Sequence, residues 1–306
     1  MPNIQRQPLL TMVVGSYPTE GLPPRRAIQQ AVEDQLIAGV DVISDGEPRG
    51  DMITTFATRI PGIRRADDGA WEVIDTLDQP ETPIVAPDFT LARALAARRA
   101  EVKAAVTGPV TMALALRVAP DAPYIGPEDP ALILRLAEIL AREVAALVAC
   151  GARVVQVDEP SLGLALRSER VPSELASDAL REFAATPLLP ALHVCGDIRD
   201  VAMDLLLLDF SIYSVENTSI PNLATFDGEQ LEFAGARVAA GCVSSADAEI
   251  EAVSVIRERV RAAMRLIPSE RLWVAPDCGL RELPRAVARE KLTRMVAAVQ
   301  DMRAEL

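Results

Sequence analysis

The chain has 306 residues, half of them apolar, only 4% aromatic and 25% charged, and its formal net charge is −13. A length of this order suits one large α/β barrel, and the Ala- and Leu-rich composition is that of a helix-rich globular protein rather than a disordered chain. The acidic balance repels phosphate backbones and anionic lipid, and no run reaches the roughly 20 apolar residues of a membrane span, so neither a nucleic-acid nor a membrane partner is expected.

In chain order, the opening stretch MPNIQRQPLLTMVVGSYP has no apolar segment followed by a small-residue cleavage site, which predicts a cytoplasmic protein. Residues 10–14 form the first of eight apolar runs of strand length, the others lying at 40–44, 102–107, 154–157, 188–194, 210–215, 237–241 and 272–275. Each is followed by a polar or Gly-containing turn and then by an amphipathic stretch, such as 130–150 or 247–266, as in a succession of βα units. Their continuous apolarity predicts strands buried on both faces of a parallel sheet. Eight such units predict an α/β fold, a (β/α)8 TIM barrel forming a single catalytic domain over residues 1–306. Residues 51–88 break the rhythm: Pro, Gly and Asp pairs around the alternating WEVID read as a hairpin-like insertion after the second strand, decorating the barrel mouth. The YPTEGLPP stretch reads as the loop after the first strand.

The ends of the runs carry the polar residues: Gly15 and Ser16, Asp45 to Glu47, Thr107 to Pro109, Asp158 to Pro160, His193 to Asp197, Glu216 and Asn217, and Pro276 to Gly279. In a barrel of parallel strands all of them converge on the C-terminal face, where barrel enzymes place their chemistry. The four cysteines, at positions 150, 195, 242 and 278, are too scattered for a disulfide framework and are expected as thiols. The single histidine, His193, lies two residues before Cys195 at a strand end, so that imidazole and thiol point to the same side. Cys278 can add a second sulfur and Glu216 an oxygen. Two sulfurs, one nitrogen and a carboxylate suit Zn2+ rather than Mg2+ or Ca2+, which take oxygen shells. The bland reading of an HxC pair is a hydrogen-bonded histidine beside a packed cysteine. Cys150 and Cys242 have no such partner pattern and are expected to pack.

The motifs VVGSYP, ISDGEPRGDM, VTGPVTM, VQVDEPSL, HVCGD, SVEN and LWVAPDCGL, which run through nearly the whole chain in this order, resemble those of the catalytic half of cobalamin-independent methionine synthase. The length resembles that of short single-barrel relatives. The resemblance implies His193, Cys195, Glu216 and Cys278 as zinc ligands, Gly15 and Ser16 as contacts to the carboxylate of homocysteine, and Glu47 and Asp158 as contacts to its ammonium group. The reaction implied is methylation of a zinc-bound homocysteine thiolate to methionine. The alternative for Glu47 and Asp158 is a solvated or salt-bridged carboxylate, and for Ser16 a turn or cap residue. Asp197, Glu159 and Asp277 are expected to hydrogen-bond the histidine ring or the loops.

Two departures from the family pattern concern the methyl donor. Where the family carries a tryptophan that stacks on folate, this chain reads MALALRVAP, and where the family carries a proton-donating histidine after the seventh strand it reads GCVSSADAE. Both absences favour a methylcorrinoid (methylcobalamin) protein as donor over methyltetrahydrofolate, because a methyl–cobalt bond needs neither a pterin platform nor an acid for its leaving group. Other readings are a coenzyme M type thiol alkyltransferase, which the acidic Glu47 and Asp158 oppose, a non-catalytic zinc- and thiol-binding barrel, and a uroporphyrinogen-decarboxylase-like barrel, which would need basic loops.

Overall fold

The computed structural model describes residues 7–19, 21–185 and 189–306. Residues 1–6 of the opening stretch, Glu20 of the YPTEGLPP loop and Leu188 at the start of the fifth run lie outside the described residues. In chain order the elements are α1 (Pro24–Ala38), β1 (Val42–Ile43), α2 (Met52–Ala57), β2 (Ile63–Arg65), β3 (Trp71–Val73), α3 (Ala86–Ala96), β4 (Glu101–Val102), β5 (Ala104–Thr107), α4 (Pro109–Ala115), β6 (Arg117–Val118), α5 (Pro130–Ala149), β7 (Val154–Asp158), α6 (Leu162–Arg167), α7 (Ser173–Ala184), β8 (Leu189–Val194), α8 (Ala202–Leu206), β9 (Ile212–Val215), α9 (Gly228–Phe233), β10 (Arg237–Val243), α10 (Val253–Met264), β11 (Leu272–Pro276) and α11 (Arg285–Ala304).

Six strands form one parallel sheet in the order β11-β10-β9-β8-β7-β5, and β1 pairs in parallel with β4. β4 and β5 are one strand interrupted only at Lys103, whose amide still donates to Ile43 O (2.9 Å). Residues 10–13 join the two ends. Met12 N donates to Val274 O (2.9 Å) and Val274 N to Leu10 O (2.8 Å) on one side; Val13 N donates to Val42 O (3.1 Å) and Val42 N to Thr11 O (3.0 Å) on the other. The chain therefore has the α/β barrel architecture expected from its eight apolar runs, with the first run present as a bridging segment rather than a full strand.

Alternation along the strands divides their residues between two cores. Leu10, Met12, Val42, Val154, Ala191, Ile212, Ala239, Trp273 and Ala275 pack together as one cluster, the plug inside the barrel. The residues between them, such as Val155, Val157, Leu192, Val194, Tyr213, Val238 and Val274, pack outward against the helices in the larger cluster. Two further steps along the strands from the plug come Gln156 and Asp158, His193, Ser214 and Asp277, all buried, so the interior changes from apolar to polar toward the C-terminal strand ends.

The helices cover the outside. α5 is capped by Asp129, whose carboxylate accepts from Ala131 N (2.8 Å), and it buries Leu132, Leu136, Ile139, Leu140 and Leu147 on one face. α1 stops at Gly39, whose left-handed φ of 82° is open to glycine and lets the chain turn directly toward β1.

The segment expected as a hairpin over 51–88 is a hairpin only at its centre, where β2 and β3 pair antiparallel. Its first residues form α2 instead, because the Asp51 carboxylate accepts from Ile53 N (2.9 Å) and Thr54 N (2.8 Å) and so starts a helix. The hairpin is fastened at both ends: β3 pairs in parallel with β6, and Trp71 Nε1 donates to Thr54 Oγ1 (3.1 Å). Among the described residues no helix is long and apolar enough to cross a membrane.

Candidate active site

The polar strand ends converge as expected. His193, the penultimate residue of β8, faces the barrel axis; its Nδ1 lies 3.1 Å from Oγ of Ser214 on the neighbouring β9, and its Nε2 lies 3.6 Å from Cys278 Sγ. The ligand atoms of His193, Cys195 and Cys278 all lie within 4.8 Å of one another, a group that could hold a metal ion. The fit to zinc is close: with Zn–S near 2.3 Å and Zn–N near 2.0–2.1 Å, tetrahedral ligation places sulfur and nitrogen about 3.5 Å apart. Ser214 holds Nδ1 and leaves Nε2 able to face a metal ion, the usual division between the two ring nitrogens.

Glu216 does not stand within that group. Its Oε2 accepts from Gly196 N (3.1 Å) and its Oε1 from the Ser219 hydroxyl, which keeps the carboxylate beside the Cys195 turn. Cys150 and Cys242 also stand outside the group; Cys242 is buried on β10, and its thiol is pushed up to about 12 by burial.

The two grouped thiols differ. A hydrogen bond from Cys278 lowers the Cys195 thiol below its ordinary value, while the same bond, then burial, push Cys278 up to about 12. Burial opposes protonation of His193, yet the hydrogen bond and charge of Cys278, with the charge of Asp158, outweigh it and raise the imidazole.

A cleft opens beside this group, lined by Asp45, Glu47, Arg49, Phe56, Thr107 and Asp158 among others. Glu47 has a left-handed φ of 51°, a backbone state that costs a non-glycine residue about 1–2 kcal/mol. Arg281, three residues past Cys278, donates to the backbone carbonyls of Glu47 and Gly50 and so ties the two loops together. The Glu47 carboxylate lies against Gly15: a Cβ on Gly15 would fall 1.9 Å from Glu47 Oε1. In the same way a Cβ on Gly279 would fall 2.1 Å from Ser16 Oγ. Glycine at 15 and 279 is therefore what allows Glu47 and Ser16 their places. Burial, then the charge of Asp158, push Glu47 up to about 8; burial also raises Asp158, and pushes Asp45 up to about 6.

The model of the family described as "Cobalamin-independent synthase, Catalytic domain" matches residues 15–301. The chain belongs to the cobalamin-independent methionine synthase family. It is 34% identical to the methionine synthase of Methanothermobacter thermautotrophicus over 95% of this chain and 99% of that one. With the methionine synthase of Saccharolobus solfataricus it shares 28% identity over 99% and 98% of the two chains. Among solved structures, a B12-independent methionine synthase from Shewanella sp. W3-18-1 in complex with selenomethionine superposes with a TM-score of 0.79 at 23% identity, covering 97% of this chain and 98% of that one. A putative vitamin-B12 independent methionine synthase from Listeria monocytogenes gives 0.73 at 18% identity, covering 97% and 99%. The two structures support the barrel fold, and the sequence relatives span nearly the whole chain. Membership of this family makes the chain a methyltransferase of methionine biosynthesis, and implies a bound metal.

In this methionine synthase family member the acidic residues flanking the motifs serve the loops rather than the histidine ring. Glu159, fully buried, accepts from Val110 N (2.9 Å) and Thr111 N (2.7 Å) at the start of α4. Asp277 accepts from Asn217 N (2.8 Å) and Thr218 N (3.0 Å), and Asp197 pairs with Arg199 (2.7 Å). The ring is held by Ser214, which sequence reasoning passed over. Lys103, Gln156 and Arg281 were missed as well; for Lys103 and Gln156 the available signal was a charged or amide residue inside an otherwise apolar strand run.

Proposed function

We propose that this chain methylates homocysteine to methionine, with zinc held by His193, Cys195, Cys278 and Glu216. What carries the reading is one juxtaposition: a His/Cys/Cys group within 4.8 Å stands one strand away from buried Asp158, which lines a cleft together with half-buried Glu47 at the same barrel end. Homocysteine has the matching groups, a thiol for the metal and an ammonium for the acids. Bound in that group, zinc would acidify the substrate thiol so that a thiolate exists near neutral pH. Glu216, already engaged by Gly196 and Ser219, is the ligand with somewhere else to go when a substrate sulfur arrives. Gly15 and Ser16 offer donors to the substrate carboxylate, and Glu47 and Asp158 accept from its ammonium group. The sulfur then attacks the donor methyl: an S–C bond forms while the bond from methyl to its carrier breaks and its electron pair stays with the carrier.

For the donor we propose a methylcorrinoid on a carrier protein. Two features of this chain support it. α4 contains no aromatic residue and ends at exposed Ala115, and the single histidine is engaged with Cys278 and Ser214 rather than free to serve a leaving group. The family's description as cobalamin-independent favours methyltetrahydrofolate, so the deciding experiment supplies zinc-loaded protein and homocysteine with each donor and measures methionine. Turnover with methylcobalamin and none with methyltetrahydrofolate is expected. Turnover with methyltetrahydrofolate alone overturns the corrinoid and keeps the homocysteine reaction. Methionine from neither, with zinc bound, leaves the non-catalytic thiol-binding barrel.

A further inference from the structure

Lys103 is the least expected side chain in the barrel. It sits at the break between β4 and β5 with 1% of its surface exposed, and a buried lysine is costly unless something uses it. Its Nζ donates to the carbonyl of Val14 and to Gln156 Oε1. An ammonium has donors only, so it accepts just one of the two orientations of the Gln156 amide, with oxygen toward Lys103. The amide nitrogen must then point the other way, and it does: Gln156 Nε2 donates to Asp158 Oδ1 (2.6 Å) and to Val14 O (2.8 Å). A flipped amide would set donor against donor at Lys103 and acceptor against acceptor at Asp158.

The two ends of this network are the two ends of the amino-acid subsite. Val14 is the residue before Gly15 and Ser16, and Asp158 lines the cleft with Glu47, whereas Lys103 and Gln156 are not among the residues that line it. We infer that Lys103 is a positioning residue which, through Gln156, fixes Asp158 and the Gly15–Ser16 turn relative to each other and thereby makes the site select thiols that carry an α-ammonium group. This rests on the proposed role of Asp158 and Glu47 as partners of that ammonium. The charge of Lys103 acts on Asp158, Glu47 and Asp45 and offsets part of their mutual repulsion, while burial pulls the lysine itself down to about 8.

The test compares two thiols that differ only in the amino group, homocysteine and 4-sulfanylbutanoate, by calorimetry on zinc-loaded wild type, Lys103→Met, Gln156→Leu and the double variant. The double variant replaces both buried partners with apolar groups and leaves neither unpaired, which protects the fold. Zinc content and near-ultraviolet circular dichroism serve as controls. Wild type should prefer homocysteine, and each variant should lose roughly tenfold in homocysteine affinity, with less than about twofold change for the analogue. Equal losses for both thiols, or no loss for either, overturn the inference while leaving the ammonium reading in place. A wild type that does not distinguish the two thiols overturns that reading and this inference with it.

Discussion

Asp158 and His193 are register partners on the adjacent parallel strands β7 and β8. The acid proposed for the substrate ammonium and the imidazole proposed for the metal are therefore one strand spacing apart, about 4.8 Å between backbones. That spacing is comparable to the reach of homocysteine from amine to thiol, so one substrate can address both at once.

Removing either acid should then weaken substrate binding without disturbing the metal. Asp158→Asn and Glu47→Gln are each expected to raise the homocysteine dissociation constant by roughly tenfold or more, the worth of a charge-assisted hydrogen bond. Calorimetry with parallel zinc analysis checks this; unchanged affinity in both variants would return the two residues to structural carboxylates.

Metal content should follow the cysteines selectively. About one zinc per chain is expected, with two sulfurs in its X-ray absorption shell. Cys278→Ser should lose most of the metal and the activity while keeping the fold, and Cys150→Ser should keep all three. Ser214→Ala, which removes only the 3.1 Å contact to His193 Nδ1, should weaken zinc binding about 10- to 100-fold. A Ser214→Ala protein with wild-type zinc affinity would show that the ring needs no such support.

Glu47 sets a pH dependence. Its pKa is raised from 4.5 to about 8 by burial and the neighbouring Asp158 charge, so near neutral pH it holds a proton that an incoming ammonium must displace. Homocysteine affinity should accordingly rise as pH increases toward 8, with proton release visible in buffers of different ionisation enthalpy, and Glu47→Gln should flatten the rise. For the ligand-free protein the sign is opposite: a raised carboxyl pKa contributes stability at low pH that is lost as pH climbs through 8. A dissociation constant independent of pH between neutrality and 8 would contradict the assignment.

Gly15→Ala tests the close approach of the first loop. Gly15 does not have a positive φ, so alanine is tolerated by the backbone, but its Cβ would meet Glu47 Oε1 at 1.9 Å and force the carboxylate aside. The expected result is a homocysteine affinity lowered to about the level of Glu47→Gln, roughly tenfold, with normal zinc content. Additive losses in the double variant would mean that Gly15 acts independently of Glu47.

Much of this protein was legible in one dimension. Eight apolar runs separated by amphipathic stretches specify parallel strands crossed by helices, because that arrangement buries both faces of every run; His193, Cys195 and Cys278 could be grouped because strand ends in such a barrel share one face, whereas Glu47 and Asp158 were singled out by the family resemblance. The hairpin was legible only in its centre, since the carboxylate of Asp51 caps a helix that the Pro- and Gly-rich composition around it concealed. Tertiary structure alone decided what faces the barrel axis. The runs read as uniformly apolar, yet alternation sends Val155 and Val157 outward and Gln156 inward, so a single amide or lysine among valines comes to lie behind the residues that line the cleft. Ser214 as the partner of His193, Arg281 as the tie between two loops, and Glu216 held by Gly196 and Ser219 beside the His/Cys/Cys group all depend on residues brought together from separate strands and loops. A sequence fixes which residues end each strand, but which atoms meet across the barrel is set by strand register and ring closure.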